Sequence, residues 1–371
     1  MRIAVPKEIK AQEYRVGLTP AVVAQLIQAG HQVLLEADAG LGSGYSNAEY
    51  QQRGAQIITS LADLYQQAEL IVKVKEPQPE EVARLNAGHI VFCYLHLAPN
   101  RALTDALIAS GASCIAYETI TDDQGRLPLL KPMSEIAGRL ATQAGAHCLE
   151  KAQGGSGVLL GSVAGLEPGH VLIFGGGVVG SNAADVALGM GANVTLIEPF
   201  EARRQSLRRQ YNSDRFTALS NEDLDLQVLL AEVDMVIGAA LIPGGAAPKL
   251  LSLEDLHYLA PGSVLVDVAV DQGGCFASTH PTTHLTPTYV QTGVVHYCVA
   301  NIPSAVARTA TQALSLASAP FVAALADQPL NQALRAQPNL AAGLSIARGQ
   351  LICAAVAGAQ QRDFRRWDLI L

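Results

Sequence analysis

The sequence around residue 75 spaces its lysines in a way suited to binding an anion. Lys73 and Lys75, two of seven lysines in the chain, lie in Val72-Lys-Val-Lys-Glu-Pro77. On a β-strand both would point to one face, and the carboxyl end of a parallel strand is where such sheets bind ligands. Lys75 is therefore a candidate cation for a substrate carboxylate. The alternative is an edge strand that carries solvated lysines.

Three further side chains have types and positions suited to catalysis or to substrate binding. His96 follows the apolar strand predicted over Ile90 to Cys93, and imidazole titrates near neutral pH, as proton transfer requires; a structural histidine is the alternative. Asp271 comes where another apolar strand gives way to two glycines. Its carboxylate is predicted to face a cofactor crevice, with an Asx turn or a helix cap as the alternative. Arg15, in a loop before a helix, can hold a carboxylate in bidentate fashion.

A glycine-rich turn has the pattern of a dinucleotide site. Gly175-Gly-Gly177-Val178-Val179-Gly180 follows an apolar strand and precedes a helical pattern. In this pattern the first glycine permits the tight turn, the second lets the backbone approach a pyrophosphate, and the third lets helix and strand pack closely. Glu198 ends the next predicted strand, where a carboxylate binds the ribose hydroxyls and repels a 2′-phosphate. The pattern favours NAD over NADP, although Arg203 and Arg204 weaken that preference.

The predicted elements alternate strands with helices over most of the chain, which indicates an α/β fold. Two doubly wound domains with mainly parallel sheets and a cleft between them are expected, one of them a Rossmann dinucleotide-binding domain. The NAD-binding domain is predicted over residues 130–303, beginning with a long helix from Met133 to Lys151. Residues 1–129 and 304–371 are predicted to form the substrate domain, its last part Ala-rich and helical from about Ser304.

Composition excludes several classes of protein. The net charge is −8 and no long basic run occurs, which argues against a nucleic-acid partner. The six cysteines form no CxxC pair, so neither a metal site nor a disulfide framework is indicated. The apolar run from Thr309 to Ala326 is interrupted by polar residues and Pro320, so a buried helix is expected rather than a membrane span. The N-terminus lacks the apolar segment of a signal peptide, and a cytoplasmic location is expected.

Several of these segments together resemble the alanine dehydrogenase family, which is related to the nucleotide-binding part of proton-pumping transhydrogenase. The resemblance extends from Met1 to about Leu325. It rests on Val5 to Glu8, Glu13 to Pro20, Gly40 to Gly44, Lys73 to Pro77, Tyr94 to His96, Pro132 to Glu135, Ala137 to Arg139, the glycine turn, Val266 to Gly274 and His296 to Asn301.

The resemblance implies a role for each matching residue. Arg15 and Lys75 would hold the substrate carboxylate, and His96 and Asp271 would carry the acid–base work. The implied NAD-binding residues are Ser134, Gly175, Gly177, Val178, Val179, Gly180, Glu198, Arg203, Ser220, Ala240, Leu241, Val268, Ala269, Val270, Asp271, Val299, Ala300 and Asn301. Glu198 departs from the aspartate usual in the family, and Ser304 and Ala307 depart from its commoner pattern.

The activity implied by this resemblance is the reversible NAD-dependent conversion of L-alanine and water to pyruvate and ammonium. The family usually forms homohexamers, with dimers or trimers as alternatives, and neither a membrane nor a metal is expected as a partner. A soluble subunit of a nicotinamide transhydrogenase, a dehydrogenase of another small 2-amino or 2-hydroxy acid, and a catalytically silent NAD-binding module are the alternatives. Hydride exchange between two coenzymes needs no acid–base group, so the Lys75, His96 and Asp271 set speaks against the transhydrogenase.

Overall fold

A computed structural model describes residues 1–223, 225–240 and 247–371. The chain divides into two compact units. Unit 1 comprises Met1–Met133 and Ser304–Leu371, and unit 2 comprises Ser134–Pro303.

The described residues form fifteen strands and thirteen α-helices. The strands are β1 (Arg2–Val5), β2 (Gln32–Glu36), β3 (Gln56–Ile58), β4 (Leu70–Val72), β5 (Ile90–Cys93), β6 (Ser113–Ala116), β7 (His170–Phe174), β8 (Asn193–Ile197), β9 (Phe216–Leu219), β10 (Met235–Gly238), β11 (Val264–Asp267), β12 (Thr288–Gln291), β13 (Val294–Tyr297), β14 (Leu344–Ala347) and β15 (Gln350–Leu351). The helices are α1 (Pro20–Gln28), α2 (Asn47–Gln52), α3 (Leu61–Gln67), α4 (Pro79–Val82), α5 (Arg101–Ser110), α6 (Lys131–Cys148), α7 (Val178–Met190), α8 (Glu201–Tyr211), α9 (Leu226–Glu232), α10 (Ala307–Asp327), α11 (Leu330–Ala336), α12 (Pro338–Ala341) and α13 (Ala354–Gln360).

The sheet of unit 1 has the order β15-β14-β6-β5-β4-β1-β2-β3. Its six strands from β1 to β6 are parallel, while β14 and β15 join antiparallel at one edge. Strands β4, β5 and β6 are apolar runs buried along their whole length, as expected for parallel strands covered by helices on both faces. The chain winds outward from β1 in one direction to β3 and from β4 in the other. The switch point of this sheet therefore lies between β1 and β4.

The apolar helix α10 is part of the core of unit 1. By length and composition alone, Ile302–Asp327 could cross a membrane. Its polar residues Thr311, Ser315 and Ser318 are buried, however, and two of them bond to the N-terminal part of the chain: Thr311 Oγ1 accepts the backbone N–H of Val16, and Ser315 Oγ accepts that of Thr19. Helix α10 is therefore a buried helix in the core of unit 1, as predicted.

The sheet of unit 2 has the order β12-β13-β11-β10-β7-β8-β9, with only β12 antiparallel. Its six parallel strands repeat the winding of unit 1, and the switch point lies between β7 and β10. Two mainly parallel, doubly wound sheets confirm the predicted α/β fold class. At the switch point of unit 2, the loop after β7 carries the glycine turn.

Four sequence predictions are wrong in their bounds. Strand β4 ends at Val72, so Lys73 and Lys75 do not share a strand face, and β4 lies inside the sheet rather than at its edge. Strand β11 ends at Asp267, before the predicted Val268, and Glu198 follows β8 rather than ending it. The long helix predicted from Met133 to Lys151 runs over Lys131–Cys148.

The C-terminal part is not helical throughout, because β14 and β15 form a hairpin. The hairpin β12–β13 was also absent from the sequence prediction. Both hairpins turn at two residues with positive φ, Arg348-Gly349 and Thr292-Gly293, the backbone that a two-residue turn of type I′ requires. Arginine and threonine seldom occupy such positions, so the turn signal was weak.

Candidate active site

The substrate-binding candidates of unit 1 lie at its switch point. Arg15 is in the loop after β1, and the buried Glu13 carboxylate holds it: Nε donates to Oε1 at 2.7 Å and Nη2 to Oε2 at 2.6 Å. Burial opposes the charge of Arg15, but the hydrogen bonds that it donates to Glu13 and the negative charge of that carboxylate outweigh this effect, and the pKa of Arg15 is raised. Nη1 donates to Met133 Sδ at 3.1 Å. Arg15 is therefore a charged guanidinium with a fixed orientation.

Lys73 is a buried ion-pair partner and not a solvated surface cation. Its Nζ lies 3.1 Å from Glu8 Oε2 and 2.7 Å from Glu81 Oε1, and all three side chains are almost fully buried. The Glu8 carboxylate also accepts the backbone N–H of Val74 at 2.6 Å and that of Lys75 at 3.4 Å. This cluster fixes the backbone that carries Lys75.

Lys75 is partly buried close to Arg15. Burial lowers the pKa of its ammonium group, and the Arg15 guanidinium lowers it further. Tyr94 is close enough to the same guanidinium to feel its charge: burial raises the pKa of the Tyr94 hydroxyl, and the positive charge of Arg15 opposes that rise. Unit 1 thus brings Arg15, Lys75 and Tyr94 together as a cationic group beside a phenol.

His96 lies three residues beyond β5, with its side chain exposed and its backbone in the left-handed region at φ 48°. Its ring stacks on that of Tyr94, with centroids 6.0 Å apart and planes 14° from parallel. Its backbone N–H donates to Glu118 Oε1 at 2.7 Å. Through Tyr94, His96 adjoins the cationic group, so unit 1 assembles three of the four predicted chemical residues.

The carboxylates that support these residues were not singled out from the sequence. Glu8, Glu13, Glu81 and Glu118 each bind a backbone N–H or a cation near Arg15, Lys75 or His96. Glu8 and Glu13 lie within segments that carried the family resemblance, which was the available signal. No sequence signal pointed to Glu81 or Glu118, because only the fold brings these two carboxylates close to their partners.

In unit 2 the glycine turn has the geometry of a phosphate cradle. A Cβ on Gly175 would lie 2.8 Å from the Ala239 carbonyl oxygen, and one on Gly180 would lie 1.8 Å from that of Gly175. Both positions exclude any side chain. A Cβ on Gly177 would meet nothing within 4 Å, so this side of the turn is open. Helix α7 begins directly after Gly177, with no side-chain cap, and its N-terminal N–H groups suit an anion.

Glu198 is buried behind the glycine turn. Its Oε2 accepts the Gly176 N–H at 2.9 Å and its Oε1 accepts that of Phe200 at 3.0 Å. Arg203 Nε donates to the Gly176 carbonyl at 2.7 Å. Glu198 and Arg203, both predicted cofactor residues, therefore hydrogen-bond to the backbone of Gly176 and are fixed next to the glycine turn.

The remaining cofactor candidates occupy loops and one helix of unit 2. Ser134 is in the first turn of α6, whose Gly138 packs against the Val179 carbonyl at the start of α7. Ser220 follows β9, and Ala240 follows β10. Leu241 lies outside the described residues. The others form two groups after β11 and β13: Val268, Ala269, Val270 and Asp271, and Val299, Ala300 and Asn301.

The loop with Asp271 is held by a different aspartate. Asp267 is fully buried; its carboxylate accepts the N–H of Ala269 at 3.1 Å and that of Cys275 at 2.8 Å, and the hydroxyl of Thr279 at 2.6 Å. The Asx-type bond considered for Asp271 is thus made by Asp267. Asp271 is exposed in the single 3₁₀ turn Val270–Gln272. Asn301 has a left-handed backbone at φ 64°.

These features define the class of unit 2. The central parallel sheet, the closely packed glycine turn at its switch point and the buried carboxylate after the next strand are those of a Rossmann dinucleotide-binding domain. Among the described residues, no cluster of three or more histidine, cysteine, aspartate or glutamate side chains has the arrangement of a metal site.

Comparison with known proteins gives the family. Residues 4–137 match the model of the alanine dehydrogenase/PNT N-terminal domain, and residues 141–354 match that of the C-terminal domain. The alanine dehydrogenase of Halomonas elongata is 55% identical over 97% of this chain and 96% of its own. That of Bacillus subtilis is 48% identical over 96% and 94%.

Solved structures agree. One of an L-alanine dehydrogenase superposes with a TM-score of 0.94 at 47% identity, covering 97% of this chain and 99% of the other. A transhydrogenase from Sinorhizobium meliloti has a TM-score of 0.82 at 23% identity, covering 96% and 100%, and so shares the fold. The chain belongs to the alanine dehydrogenase/PNT family, as the sequence motifs indicated.

Proposed function

We propose that the protein is an NAD-dependent alanine dehydrogenase that converts L-alanine and water reversibly to pyruvate and ammonium. The observation that carries this proposal is the 55% identity to an alanine dehydrogenase over 97% of the chain. The cluster of Arg15, Lys75 and His96 within unit 1 supports it chemically, because it combines two cations for a carboxylate with a group that can transfer a proton.

Arg15 and Lys75 are proposed to bind the substrate carboxylate. The Glu13 carboxylate occupies Nε and Nη2 of Arg15, so the guanidinium approaches the substrate in one orientation. The Glu8 carboxylate fixes the backbone of Lys75. Two charges held in this way orient the substrate before reaction, which lowers the entropic part of the barrier.

His96 and Asp271 are proposed to carry the acid–base work. His96 takes the proton that leaves the substrate ammonium group, which gives the neutral amine. Loss of the Cα hydride to the coenzyme then gives the imine, and Asp271 orients the water that adds to it. His96 is supplied by unit 1 and Asp271 by unit 2, each at the carboxyl end of its sheet. Both side chains are exposed within the single chain, as a group that must meet substrate requires.

The cofactor is NAD, which when bound would supply the acceptor for the hydride of the substrate Cα. The open side of Gly177, the uncapped start of α7 and the buried Glu198 carboxylate fit such a dinucleotide. The predicted lining residues from Ser134 to Asn301 are proposed to hold it. The negative charge of Glu198 favours NAD over NADP, as the aspartate usual in the family would.

The transhydrogenase alternative is not favoured. The likeness to the Sinorhizobium meliloti protein, at 23% identity, supports a shared fold alone. Hydride transfer between two coenzymes requires neither a carboxylate clamp nor a proton-transfer group. The Arg15, Lys75 and His96 cluster would then have no use.

We further propose that residues 1–129 with 304–371 form the substrate domain and residues 130–303 the NAD-binding domain. The two compact units and their different sets of side chains support this division. From the family resemblance we also propose that the protein is a cytoplasmic homo-oligomer, with a hexamer favoured. Its reaction is proposed to need no metal.

The test is an assay of the purified full-length chain with NAD and L-alanine, following NADH absorbance, and the reverse reaction with pyruvate, ammonium and NADH. Glycine, L-serine, L-valine and L-lactate serve as competing substrates, and NADP as the competing coenzyme. We expect NADH formation with L-alanine above all others. A higher rate with another acid, or reduction of a second nicotinamide coenzyme without any amino acid, would refute the proposal.

A further inference from the structure

We propose that Glu118 is a positioning residue that holds His96 in its working conformation; the inference rests on the proposed function of His96. Strands β5 and β6 are parallel neighbours with Cys93 opposite Ala116, so the residues that follow them lie side by side. Glu118, in the 3₁₀ turn directly after β6, is therefore next to the chain that leaves β5 toward His96.

The Glu118 carboxylate binds two consecutive backbone N–H groups. The N–H of Leu95 lies 3.2 Å from each of its oxygens, and that of His96 donates to Oε1 at 2.7 Å. Successive N–H groups that converge in this way form a concave site for an anion. Glu118 supplies that anion from the same unit.

The backbone of His96 explains why such a bond matters. Its φ of 48° lies in the left-handed region, which residues other than glycine rarely adopt. The value of φ sets the direction of the Cα–Cβ bond relative to the preceding strand. If the N–H were released and φ returned to an ordinary negative value, the imidazole would swing away from Tyr94 and from the cationic group.

One face of the His96 ring is already located by a second contact. The Tyr94 ring stacks on it, and the Tyr94 hydroxyl donates to the Leu129 carbonyl at 2.5 Å, so the tyrosine itself is anchored. Tyr94 thus constrains the ring and Glu118 constrains the backbone. Glu118 acts through the N–H groups, and this role requires no contact with substrate.

A double-mutant cycle separates positioning from a general structural role. The full-length Glu118→Ala, His96→Ala and double variants are assayed with L-alanine and NAD, together with NAD affinity and melting temperature. Glu69→Ala is the matched control, because the Glu69 carboxylate also accepts one backbone N–H in unit 1, that of Arg2 at 2.6 Å. This contact lies at the amino ends of β1 and β4, whereas Glu118 and His96 follow the carboxyl ends of their strands.

We expect Glu118→Ala to lower kcat by about 10- to 100-fold, the usual cost of a misplaced catalytic group, with NAD affinity unchanged. In the His96→Ala background the same change should lower kcat by less than about twofold, since the group it positions is gone. Glu118→Gln should recover most of the activity, because its amide oxygen can still accept the His96 N–H. Glu69→Ala should keep the kcat of the unmodified chain.

Three results would overturn the inference: an unchanged kcat in Glu118→Ala, an equal loss in both backgrounds, or no recovery in Glu118→Gln. If Glu118→Ala fails to fold, Glu118→Asp takes its place in the cycle, because its carboxylate is one methylene short of the N–H groups. A His96→Ala variant with normal kcat would instead refute the proposed function of His96. Loss in His96→Ala with none in Glu118→Ala would refute this inference alone.

Discussion

Arg15 and Glu13, two residues apart, form a bidentate ion pair whose side chains are 2% and 1% exposed. Replacing Glu13 with glutamine removes the negative charge and one acceptor, so the guanidinium loses its fixed orientation. We expect the KM for L-alanine to rise about tenfold or more, the effect of a weakened charged hydrogen bond. NAD affinity should stay unchanged. Steady-state kinetics of Glu13→Gln, with Glu69→Gln as the control, measure the KM for L-alanine. An unchanged KM in Glu13→Gln would contradict the proposal that Glu13 orients Arg15 for the substrate carboxylate.

The lowered pKa of Lys75 predicts how substrate binding responds to pH. Because burial and Arg15 favour the neutral amine, Lys75 loses its charge at a lower pH than a free lysine. The KM for L-alanine should therefore rise as pH increases through that pKa. Lys75→Arg, which stays charged, should show the rise only at higher pH. Lys75→Ala should bind the amino acid poorly at every pH and NAD normally; a loss of NAD affinity instead would remove Lys75 from the carboxylate site.

The buried cluster of Lys73, Glu8 and Glu81 predicts a large effect on stability. In Lys73→Met two buried carboxylates lose their cation, so the free energy of unfolding should fall by about 3–5 kcal/mol. Arg126→Met is the control: its partner Asp122 is 2.6 Å away, but the arginine is 71% exposed, and at most about 1 kcal/mol should be lost. Urea unfolding measures both. Equal losses would mean that Lys73 does not stabilise the pair of glutamates.

Two glycines of the same turn should respond differently to alanine. A Cβ on Gly180 would lie 1.8 Å from the Gly175 carbonyl oxygen, so Gly180→Ala should disrupt the turn and lower the melting temperature. A Cβ on Gly177 meets nothing within 4 Å and φ there is −70°, so Gly177→Ala should fold normally. It should still bind NAD more weakly, because the methyl group would occupy the open side of the cradle. Thermal unfolding and fluorescence titration with NAD distinguish the two effects.

The proposed acid–base pair predicts large losses of turnover. His96→Ala and Asp271→Ala should each lower kcat by about 100-fold or more, with the fold and NAD affinity retained. His147→Ala and Asp214→Ala, at exposed positions of unit 2, are the controls and should behave like the unmodified chain. Near-normal turnover in either test variant would remove that residue from the scheme.

The sequence carried enough information to predict the positions of most strands and the glycine turn, because apolar runs and glycine spacing are local signals. The environment of Lys73 was predicted wrongly. A lysine at the end of a strand is expected to be solvated unless the positions of Glu8 and Glu81, which are distant in the chain, are known. The same reason hides Glu118, whose partners Leu95 and His96 lie more than twenty residues away. Hairpins with arginine or threonine at the turn were missed because their turn residues are atypical.

Unit 1 is discontinuous, and this bears on how the chain is made. Strand β14 pairs with β6, and α10 supplies Thr311 and Ser315 to the loops after β1, so residues 304–371 complete a structure begun by residues 1–133. The ribosome synthesises all of unit 2, residues 134–303, before it adds residues 304–371. The first 133 residues must therefore wait, with part of their apolar surface uncovered, until the last segment of the nascent chain returns to them.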